Sequence, residues 1–249
     1  MTNPQLHYYT LSPQVVAFSS TRHGGVSEGS YGDFNMNAYC GDNPQHIVEN
    51  RRALSALLGI SEESIIMPHQ VHGTEVRRID APPSEVIEGV DAVMTDVPGL
   101  CIGVSTADCI PILLYDARHH AACAVHAGWR GTVKRILHRA VAAMTDAYGC
   151  IPSEMKAVIG PGISLESFEI GDEVFEQFAN AGFDMSILAH RYTKWHIDLP
   201  LCNRMQLEEL GVTNITMSGI CTYQQYNDYF SARRLGINSG RIFSGIMLR

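Results

Sequence analysis

Short apolar stretches, each bounded by glycine, proline or aspartate, occupy the middle of the chain. They are IIMPHQVHGTEVRRI, DAVMTD, LCIGVSTAD, IPILLYD and AACAVHAG. Runs of this length and composition are typical of buried β-strands, because a strand needs only about four to eight residues and turn formers end it. The pattern therefore predicts several strands between residues 65 and 128. Further along, MKAVIGPGI predicts a strand followed by a turn, and ITMSGICTY predicts another strand.

Other parts of the chain place apolar residues at helical spacing. This spacing predicts a helix near residues 44–58 and a second one after Gly131, where Thr132 can cap the start and Gly149 can end it. The apolar positions of the second helix are Val133, Ile136, Leu137, Ala140, Val141 and Met144. EIGDEVFEQFANAG and LPLCNRMQLEELGV predict two further helices.

Helices and strands interleave along the chain, which predicts a mixed α/β (α+β) class in which helices cover mixed sheets. No repeat and no Pro/Ser-rich linker divides the sequence, so residues 1–249 are predicted to form a single layered domain. The stretch STRHGGVSEGSYGDFNMNAYCGDN is rich in glycine and asparagine and predicts a long irregular loop before the first helix.

The composition narrows the range of functions. With 249 residues, 45% of them hydrophobic, the chain has enough apolar material for a core without disulfides. A net charge of −8 without a lysine or arginine block argues against a nucleic-acid partner, whose phosphates require a basic surface. The longest apolar runs are too short to span a bilayer, and the N-terminus lacks a secretory pattern. Seven cysteines, an odd count, indicate reduced thiols and a cytoplasmic protein.

Cysteine and histidine residues at the ends of predicted strands are the candidates for chemistry. Cys109 follows one strand end, with Pro111 close behind it, and His126 lies at the end of AACAVHAG. His69 and His72 occur in HQVHG. If that segment is extended, residues three apart point to opposite faces, so only one of the two histidines faces a given site. For each residue taken alone, a buried cysteine or a hydrogen-bonded histidine is the ordinary alternative.

Three chemistries fit a cysteine and histidines that converge in space. Two histidines and one thiolate leave one position open in a tetrahedral zinc site, where water or a substrate oxygen can bind. The same ligand types occur in copper centres, although the sequence contains no compact Cys-His-Met cluster. Without a metal, Cys109 as nucleophile and His126 as base would suit a thiol hydrolase. The residues alone leave these alternatives open.

Two arginines and one aspartate are candidates for supporting roles. Arg22 and Arg233 lie among small or aromatic residues rather than in charged runs, which favours binding of a phosphate or carboxylate by paired guanidinium N–H groups. A solvated surface arginine is the ordinary alternative. Asp108, next to the cysteine, could orient a metal-binding histidine by accepting a hydrogen bond from its ring, without binding the metal itself.

Taken together in chain order, the motifs resemble those of the YfiH/YlmD family. These motifs are FSSTRHGGVSEGSYGDFNMN, MPHQVHGTEV, TADCIPILLYD, VHAGWRGT, AVIGPGISLESFEIGDEV, IDLPLCNRMQLEELGV and CTYQQYNDYFSARRLGINSGR. Members of that family are described as laccase-domain proteins or polyphenol oxidases, and as purine nucleoside phosphorylases. The resemblance extends from about residue 15 to the C-terminus.

The resemblance implies that His72, Cys109 and His126 are the metal ligands and the catalytic residues, with His69 off the metal. It implies a zinc-dependent phosphorylase that cleaves adenosine, inosine and S-methyl-5'-thioadenosine with phosphate, held by Arg22 or Arg233, and that also deaminates adenosine. Copper is the alternative metal, as a polyphenol oxidase would require. The implied fold is layered and grouped with the catalytic domain of cytotoxic necrotizing factor. That domain uses a Cys-His pair, which keeps open a hydrolase acting on a peptidoglycan precursor.

Two residues depart from the family pattern. Ala232 stands where an aromatic or polar residue is more usual, and Gly162 stands where cysteine or serine often follows IGP. Both bear on the substrate pocket rather than on the metal ligands. A multicopper oxidase uses paired His-x-His motifs, and none occurs among the eleven histidines, which argues against a laccase. The sequence carries no indication of the oligomeric state.

Overall fold

Two β-sheets packed face to face form the centre of the computed structural model, which describes residues 3–249. With strands numbered in chain order, the first sheet contains, in spatial order, β1 (Leu6–Tyr9), β2 (Val15–Ser20), β14 (Ile242–Leu248), β6 (Cys101–Thr106) and β3 (Ile65–Ile66). The second sheet contains β13 (Asn214–Met217), β9 (Lys156–Ile159), β7 (Ile110–Asp116), β8 (Ala121–Ala127), β5 (Ala92–Thr95) and β4 (Val76–Arg78). The pairs β3–β6, β4–β5 and β9–β13 are parallel, so both sheets are mixed.

A small antiparallel sheet and seven α-helices account for the other regular elements of residues 3–249 apart from short 3₁₀ turns. The small sheet contains β10 (Glu169–Ile170), β12 (Trp195–Ile197) and β11 (Ala189–Arg191). The helices are α1 (Pro44–Leu58), α2 (Trp129–Val133), α3 (Ile136–Tyr148), α4 (Asp172–Asn180), α5 (Met185–Leu188), α6 (Leu199–Glu209) and α7 (Ala232–Leu235). Within residues 3–249, none of them combines the length and the apolar character that crossing a bilayer requires.

The alternation of side chains along the strands assigns each face of the sheets to a different layer. Ile102 on β6 and Ile246 on β14 belong to the buried cluster that also contains Leu113 on β7 and Ala124 on β8, so these residues fill the space between the sheets. Every residue of β7 and β8 is buried, because both faces of the second sheet are covered.

Helices cover the two outer faces. Leu54 of α1 packs in a cluster with Phe18 of β2, on the outer face of the first sheet. Met144 of α3 clusters with Ile112 of β7, on the outer face of the second sheet. The result is a helix–sheet–sheet–helix arrangement, which confirms the predicted class of mixed sheets covered by helices.

The first two predicted helices correspond to α1 and α3, and three of their four predicted ends are confirmed. Helix α1 spans Pro44–Leu58, and α3 ends at Tyr148 with Gly149 as its C-terminal cap, in the left-handed conformation with φ of 73°. The prediction that Thr132 caps the second helix is wrong. Thr132 lies inside the short helix α2, and α3 starts only at Ile136, because Arg135 interrupts the helix with φ of 61°.

The predicted continuous strand over IIMPHQVHGTEVRRI is also wrong. Only Ile65–Ile66 and Val76–Arg78 are strands, and residues 67–75 form an irregular loop in which His72 has φ of 60°. The premise that the segment is extended therefore fails, although its two histidines do point to different surroundings. The C-terminal strand β14, which pairs with both β2 and β6 at the centre of the first sheet, was not predicted.

Candidate active site

Three side chains from separate parts of the chain converge at one end of the second sheet. His72 lies in the loop before β4, Cys109 in the turn between β6 and β7, and His126 near the end of β8. Their ligand atoms, one from each residue, all lie within 4.8 Å of one another. The two imidazole rings meet edge to face, with centroids 4.8 Å apart. The structure thus brings together the three residues that the sequence singled out.

Cys109 is held in place by a strained turn that passes from the first sheet to the second. Asp108 has φ of 84°, and its carboxylate accepts hydrogen bonds from the Thr222 hydroxyl and the Arg233 backbone N–H, both at 2.7 Å. These bonds tie the turn to the segment around residues 222–233. The expectation that Asp108 orients a metal-binding histidine is therefore wrong, because its carboxylate positions the cysteine turn instead.

Asp91 performs the orienting role that was expected of Asp108. Its fully buried carboxylate lies 2.7 Å from Nδ1 of His126 and accepts the backbone N–H groups of Val71, His72 and Gly73. One carboxylate therefore fixes the ring of His126 and the loop that carries His72. With Nδ1 of His126 donating to Asp91, Nε2 is left to face Cys109.

Sequence reasoning missed Asp91 because DAVMTD resembles the start of a strand. A usable signal was present: a single acidic residue directly precedes the apolar run of β5. An aspartate that folds into such a buried position must be hydrogen-bonded or paired with a charge.

His69 lies beside the cluster but not in it. Its Nδ1 is 2.6 Å from a carboxylate oxygen of Glu88, and its ring stacks on Tyr39 with centroids 3.9 Å apart. His69 therefore lines the same cavity as Cys109 and His126 without belonging to the cluster of ligand atoms.

Gly128 explains how closely the three side chains can approach the backbone. A Cβ at this position would lie 2.8 Å from Cδ2 of His72 and 3.1 Å from Sγ of Cys109. Only glycine leaves room for both side chains here. The glycine of VHAGWRG thus belongs to the packing of the site.

The cysteine and histidines alter one another's ionisation. Burial raises the pKa of the Cys109 thiol, but His126 and His72 together outweigh it and lower that pKa to about 6. Burial lowers the pKa of His126, while Cys109 and Asp91 raise it to about 9. The carboxylate of Asp91 has a lowered pKa, since His126 and the loop N–H groups outweigh its burial. Cys109 is therefore a thiolate near neutral pH, which is the form that binds metals or attacks carbon.

A cavity of about 280 Å³ opens beside the cluster. Its walls include Tyr39, Gln70, Thr106, Ala232 and Arg241, as well as His72, Cys109 and His126. Thr106 is buried, with 1% of the residue exposed, and its hydroxyl has no hydrogen-bond partner within residues 3–249. A buried hydroxyl without a partner costs free energy, so this hydroxyl in the cavity wall has unused bonding capacity.

The two predicted phosphate-binding arginines do not line this cavity. Arg22 donates from Nε and Nη1 to the carbonyl oxygens of Gly32 and Tyr226. Arg233 donates from Nη1 to the carbonyl of Glu169 and lines a different groove. Their assignment to a substrate stays a prediction, and Arg241 is the arginine that the structure places on the cavity wall.

Known proteins share the sequence and the fold of this chain. Residues 16–249 match the profile of the family described as multi-copper polyphenol oxidoreductase laccase. A purine nucleoside phosphorylase of Bacteroides thetaiotaomicron is 44% identical, over 98% of this chain and 96% of its own. Adenosine deaminase RL5, from an unknown prokaryotic organism, is 40% identical over 93% of both chains. The crystal structure of YlmD from Geobacillus stearothermophilus superposes with a TM-score of 0.90 at 30% identity, covering 95% of this chain and 93% of YlmD.

The chain belongs to the YfiH/YlmD laccase-domain family. Of its two departures from the pattern of the YfiH/YlmD family, Ala232 does line the cavity. Gly162 instead packs behind the cysteine turn, where a Cβ would lie 2.2 Å from Cδ1 of Ile110 and 3.4 Å from the carbonyl oxygen of Cys109. A serine or cysteine at position 162 would require the Ile110 side chain to move, so this departure affects the packing behind Cys109 rather than the cavity wall.

The donor set of this YfiH/YlmD protein suits a divalent metal ion. One sulfur and two imidazole nitrogens lie close enough to share an ion, and the thiol already favours its deprotonated form. The Asp91–His126 hydrogen bond supplies the outer support that metal-binding histidines usually have. These three residues could therefore hold zinc or copper.

Proposed function

We propose that the protein is a zinc-dependent purine nucleoside phosphorylase for adenosine, inosine and S-methyl-5'-thioadenosine, with adenosine deaminase activity. The observation that carries the proposal is the convergence of His72, Cys109 and His126 beside a polar cavity. The names of the relatives support the two reactions, since a 44% identical protein is called a phosphorylase and a 40% identical one a deaminase.

His72, Cys109 and His126 would hold the zinc ion through two nitrogens and one sulfur. Three protein ligands leave a fourth position for a reactant, as in catalytic zinc sites. Zinc bound there supplies Lewis acidity towards a water or a substrate oxygen. Asp91 would keep His126 in the tautomer that presents Nε2 to the ion, because it accepts the proton of Nδ1.

The cavity wall would orient the nucleoside. Asn37 and Gln70 bond to Ser105 and so fix the wall at the end of β6, which leaves the Thr106 hydroxyl as a group with unused bonding capacity. The ring of Tyr39, 44% exposed, offers an aromatic face to a purine base. Polar groups of this kind fix the orientation of a bound ligand.

Cationic side chains would attract the phosphate. Arg241 is our first candidate because it lines the cavity. Arg22 and Arg233 are the candidates from the sequence, and the guanidinium groups of all three arginines already bond to backbone carbonyls. A guanidinium bonded to carbonyls keeps its charge and still favours a nearby anion.

The test is an assay of purified, zinc-loaded protein with adenosine, in the presence and absence of phosphate. With phosphate we expect adenine and ribose 1-phosphate; without it we expect inosine alone. His72→Ala and Cys109→Ser should abolish both reactions, because each removes a zinc ligand. His190→Ala, on the exposed strand β11, is the matched control and should leave both rates unchanged. Full activity in the ligand variants would overturn the proposal.

A copper-dependent polyphenol oxidase is a second candidate, favoured by the description of the family profile. Zinc has no redox chemistry, so metal analysis of protein purified without added metal separates the two functions. Copper in the site together with phenol-dependent oxygen consumption would support the oxidase. Zinc in the site without oxygen consumption would exclude it.

A metal-free hydrolase acting on a peptidoglycan precursor is a third candidate, favoured by the closeness of Cys109 and His126, whose ligand atoms lie within 4.8 Å of each other. Chelation and alkylation distinguish it from the zinc enzyme. Hydrolysis that survives thorough chelation but is lost after alkylation of Cys109 would support the hydrolase. Loss of activity on chelation, with recovery on adding zinc, would support the zinc enzyme.

A further inference from the structure

A second cluster of metal-binding side chains lies at the other end of the β7–β8 hairpin. Cys109 precedes β7 and His126 lies near the end of β8, whereas Asp116 ends β7 at the opposite tip. Seven strand residues separate the two ends, so the clusters are on the order of 20 Å apart. The second cluster is therefore separate from the candidate active site.

Asp116, His119 and Cys150 form this cluster. One ligand atom from each, an oxygen, a nitrogen and a sulfur, lies within 4.8 Å of the others. Nδ1 of His119 is 3.0 Å from Oδ2 of Asp116. Cys150 reaches the pair because it directly follows Gly149, the C-terminal cap of α3, and Gly149 lies beside the His119 ring.

The carboxylate of Asp116 is arranged as a ligand would be. Its Oδ1 accepts the backbone N–H groups of Arg118 and His119, at 2.8 and 3.0 Å. Those bonds fix the group and leave Oδ2 to contact the imidazole of His119. Ligating carboxylates are usually held in this way by hydrogen bonds to the oxygen that does not bind the ion.

We propose that Asp116, His119 and Cys150 form a second zinc site, with water as the fourth ligand. Zinc binds sulfur, imidazole nitrogen and carboxylate oxygen, which are the three donors present. Asp116 and Cys150 are buried, but the side chain of His119 is 27% exposed at the hairpin tip, which gives an ion and a water a route from solvent.

Binding requires the Cys150 thiol to lose its proton. Burial and the nearby Asp116 raise the pKa of Cys150 to about 12, so the thiol is protonated when the site holds no ion. On binding, the S–H bond breaks, the sulfur bonds to zinc and the proton passes to the solvent. Affinity for zinc therefore rises with pH, as at other thiolate sites. The alternative is that the three residues bind no ion and only stabilise the hairpin turn through hydrogen bonds.

The experiment uses Co²⁺ as a spectroscopic substitute for zinc in the Cys109→Ser protein, which lacks the first site but keeps the second cluster intact. Thiolate-to-cobalt charge transfer reports a bond to sulfur, so we expect this absorption at one equivalent of Co²⁺. Addition of Cys150→Ser should remove it, and His119→Gln should weaken it because the exposed histidine supplies one ligand. His120→Gln, in the same hairpin but directed towards the Arg249 carbonyl, is the matched control and should retain it.

Thermal unfolding provides a second readout that does not depend on a cysteine variant folding well. Zinc should raise the melting temperature of the Cys109→Ser protein, and this increase should be smaller in the His119→Gln background. Saturating Co²⁺ without thiolate charge transfer in the Cys109→Ser protein would overturn the second site. That result would show that Asp116, His119 and Cys150 only stabilise the hairpin turn through hydrogen bonds.

Discussion

The carboxylate of Asp91 lies 2.7 Å from Nδ1 of His126 and accepts the backbone N–H of His72 at 2.9 Å, so one side chain positions two of the three proposed ligands. Asp91→Asn removes the charge that favours the Nδ1–H tautomer and puts an amide against the loop N–H groups. We expect zinc affinity to fall by about 10- to 100-fold, the usual loss when such outer support is removed. A competition titration with a zinc chelator measures it.

The control for that variant is Asp146→Asn, on an exposed turn of α3, which changes the net charge equally. An Asp91→Asn protein that binds zinc as tightly as the Asp146→Asn protein would show that Asp91 serves the fold alone.

Gly128→Ala should disable the site while leaving the fold intact. The added Cβ would lie 2.8 Å from Cδ2 of His72 and 3.1 Å from Sγ of Cys109, so at least one side chain must move. A displacement of about 1 Å at a reacting centre costs on the order of 100-fold in rate. We expect a loss of phosphorolysis of that size with a circular dichroism spectrum like that of the unaltered protein. Unchanged kcat with full zinc occupancy would contradict this packing argument.

Thr106→Val distinguishes a substrate contact from a structural hydroxyl. The Thr106 oxygen is buried without a partner within residues 3–249, so its removal should not lower the melting temperature. If the hydroxyl bonds to the nucleoside, kcat/KM for adenosine should fall by about 3- to 10-fold, the value of one neutral hydrogen bond. A lower melting temperature with unchanged kcat/KM would show that the hydroxyl stabilises the fold and does not contact the substrate.

The reactivity of Cys109 should depend on pH in a way that identifies its neighbours. The histidines lower its pKa to about 6, and the thiolate is the reactive form, so alkylation of metal-free protein should rise through pH 6 and level off above it. His126→Gln removes the largest opposing charge and should move the midpoint to higher pH. Mass spectrometry after timed alkylation gives the rates. A wild-type midpoint near the ordinary thiol value would show that the cysteine and histidines are not in contact in solution.

The sequence predicted the layers of the fold because amphipathic helices and buried strands carry periodic signals. It did not predict the loop around His72, since Asp91 is distant in sequence and overrides the local preference of HQVHGTEV for a strand. The start of α3 was misplaced for a similar reason. Arg135 adopts a left-handed conformation that cannot be predicted from its residue type, because only glycine indicates such a conformation reliably.

The candidate site was predictable at the level of residue types and not of geometry. Turn formers around Cys109 and His126 indicated strand ends, and the family motifs selected His72 over His69. Asp108 was predicted to orient a histidine because it neighbours the cysteine. Strands β5 and β8 instead pair side by side, which brings Asp91 next to His126. Arg22 stays a predicted phosphate-binding residue. Its guanidinium donates to the carbonyls of Gly32 and Tyr226, and contacts of this kind leave no pattern in a sequence.

The most direct measurement is anomalous scattering at the zinc edge from crystals grown with zinc. The account predicts an anomalous peak at about 2.3 Å from Sγ of Cys109 and at about 2.0–2.1 Å from one nitrogen of each of His72 and His126. A peak at the hairpin cluster of Asp116 would be a separate maximum and would not count towards this result. Zinc-loaded, active protein with no peak among Cys109, His72 and His126 would contradict the claim that these residues form the catalytic metal centre.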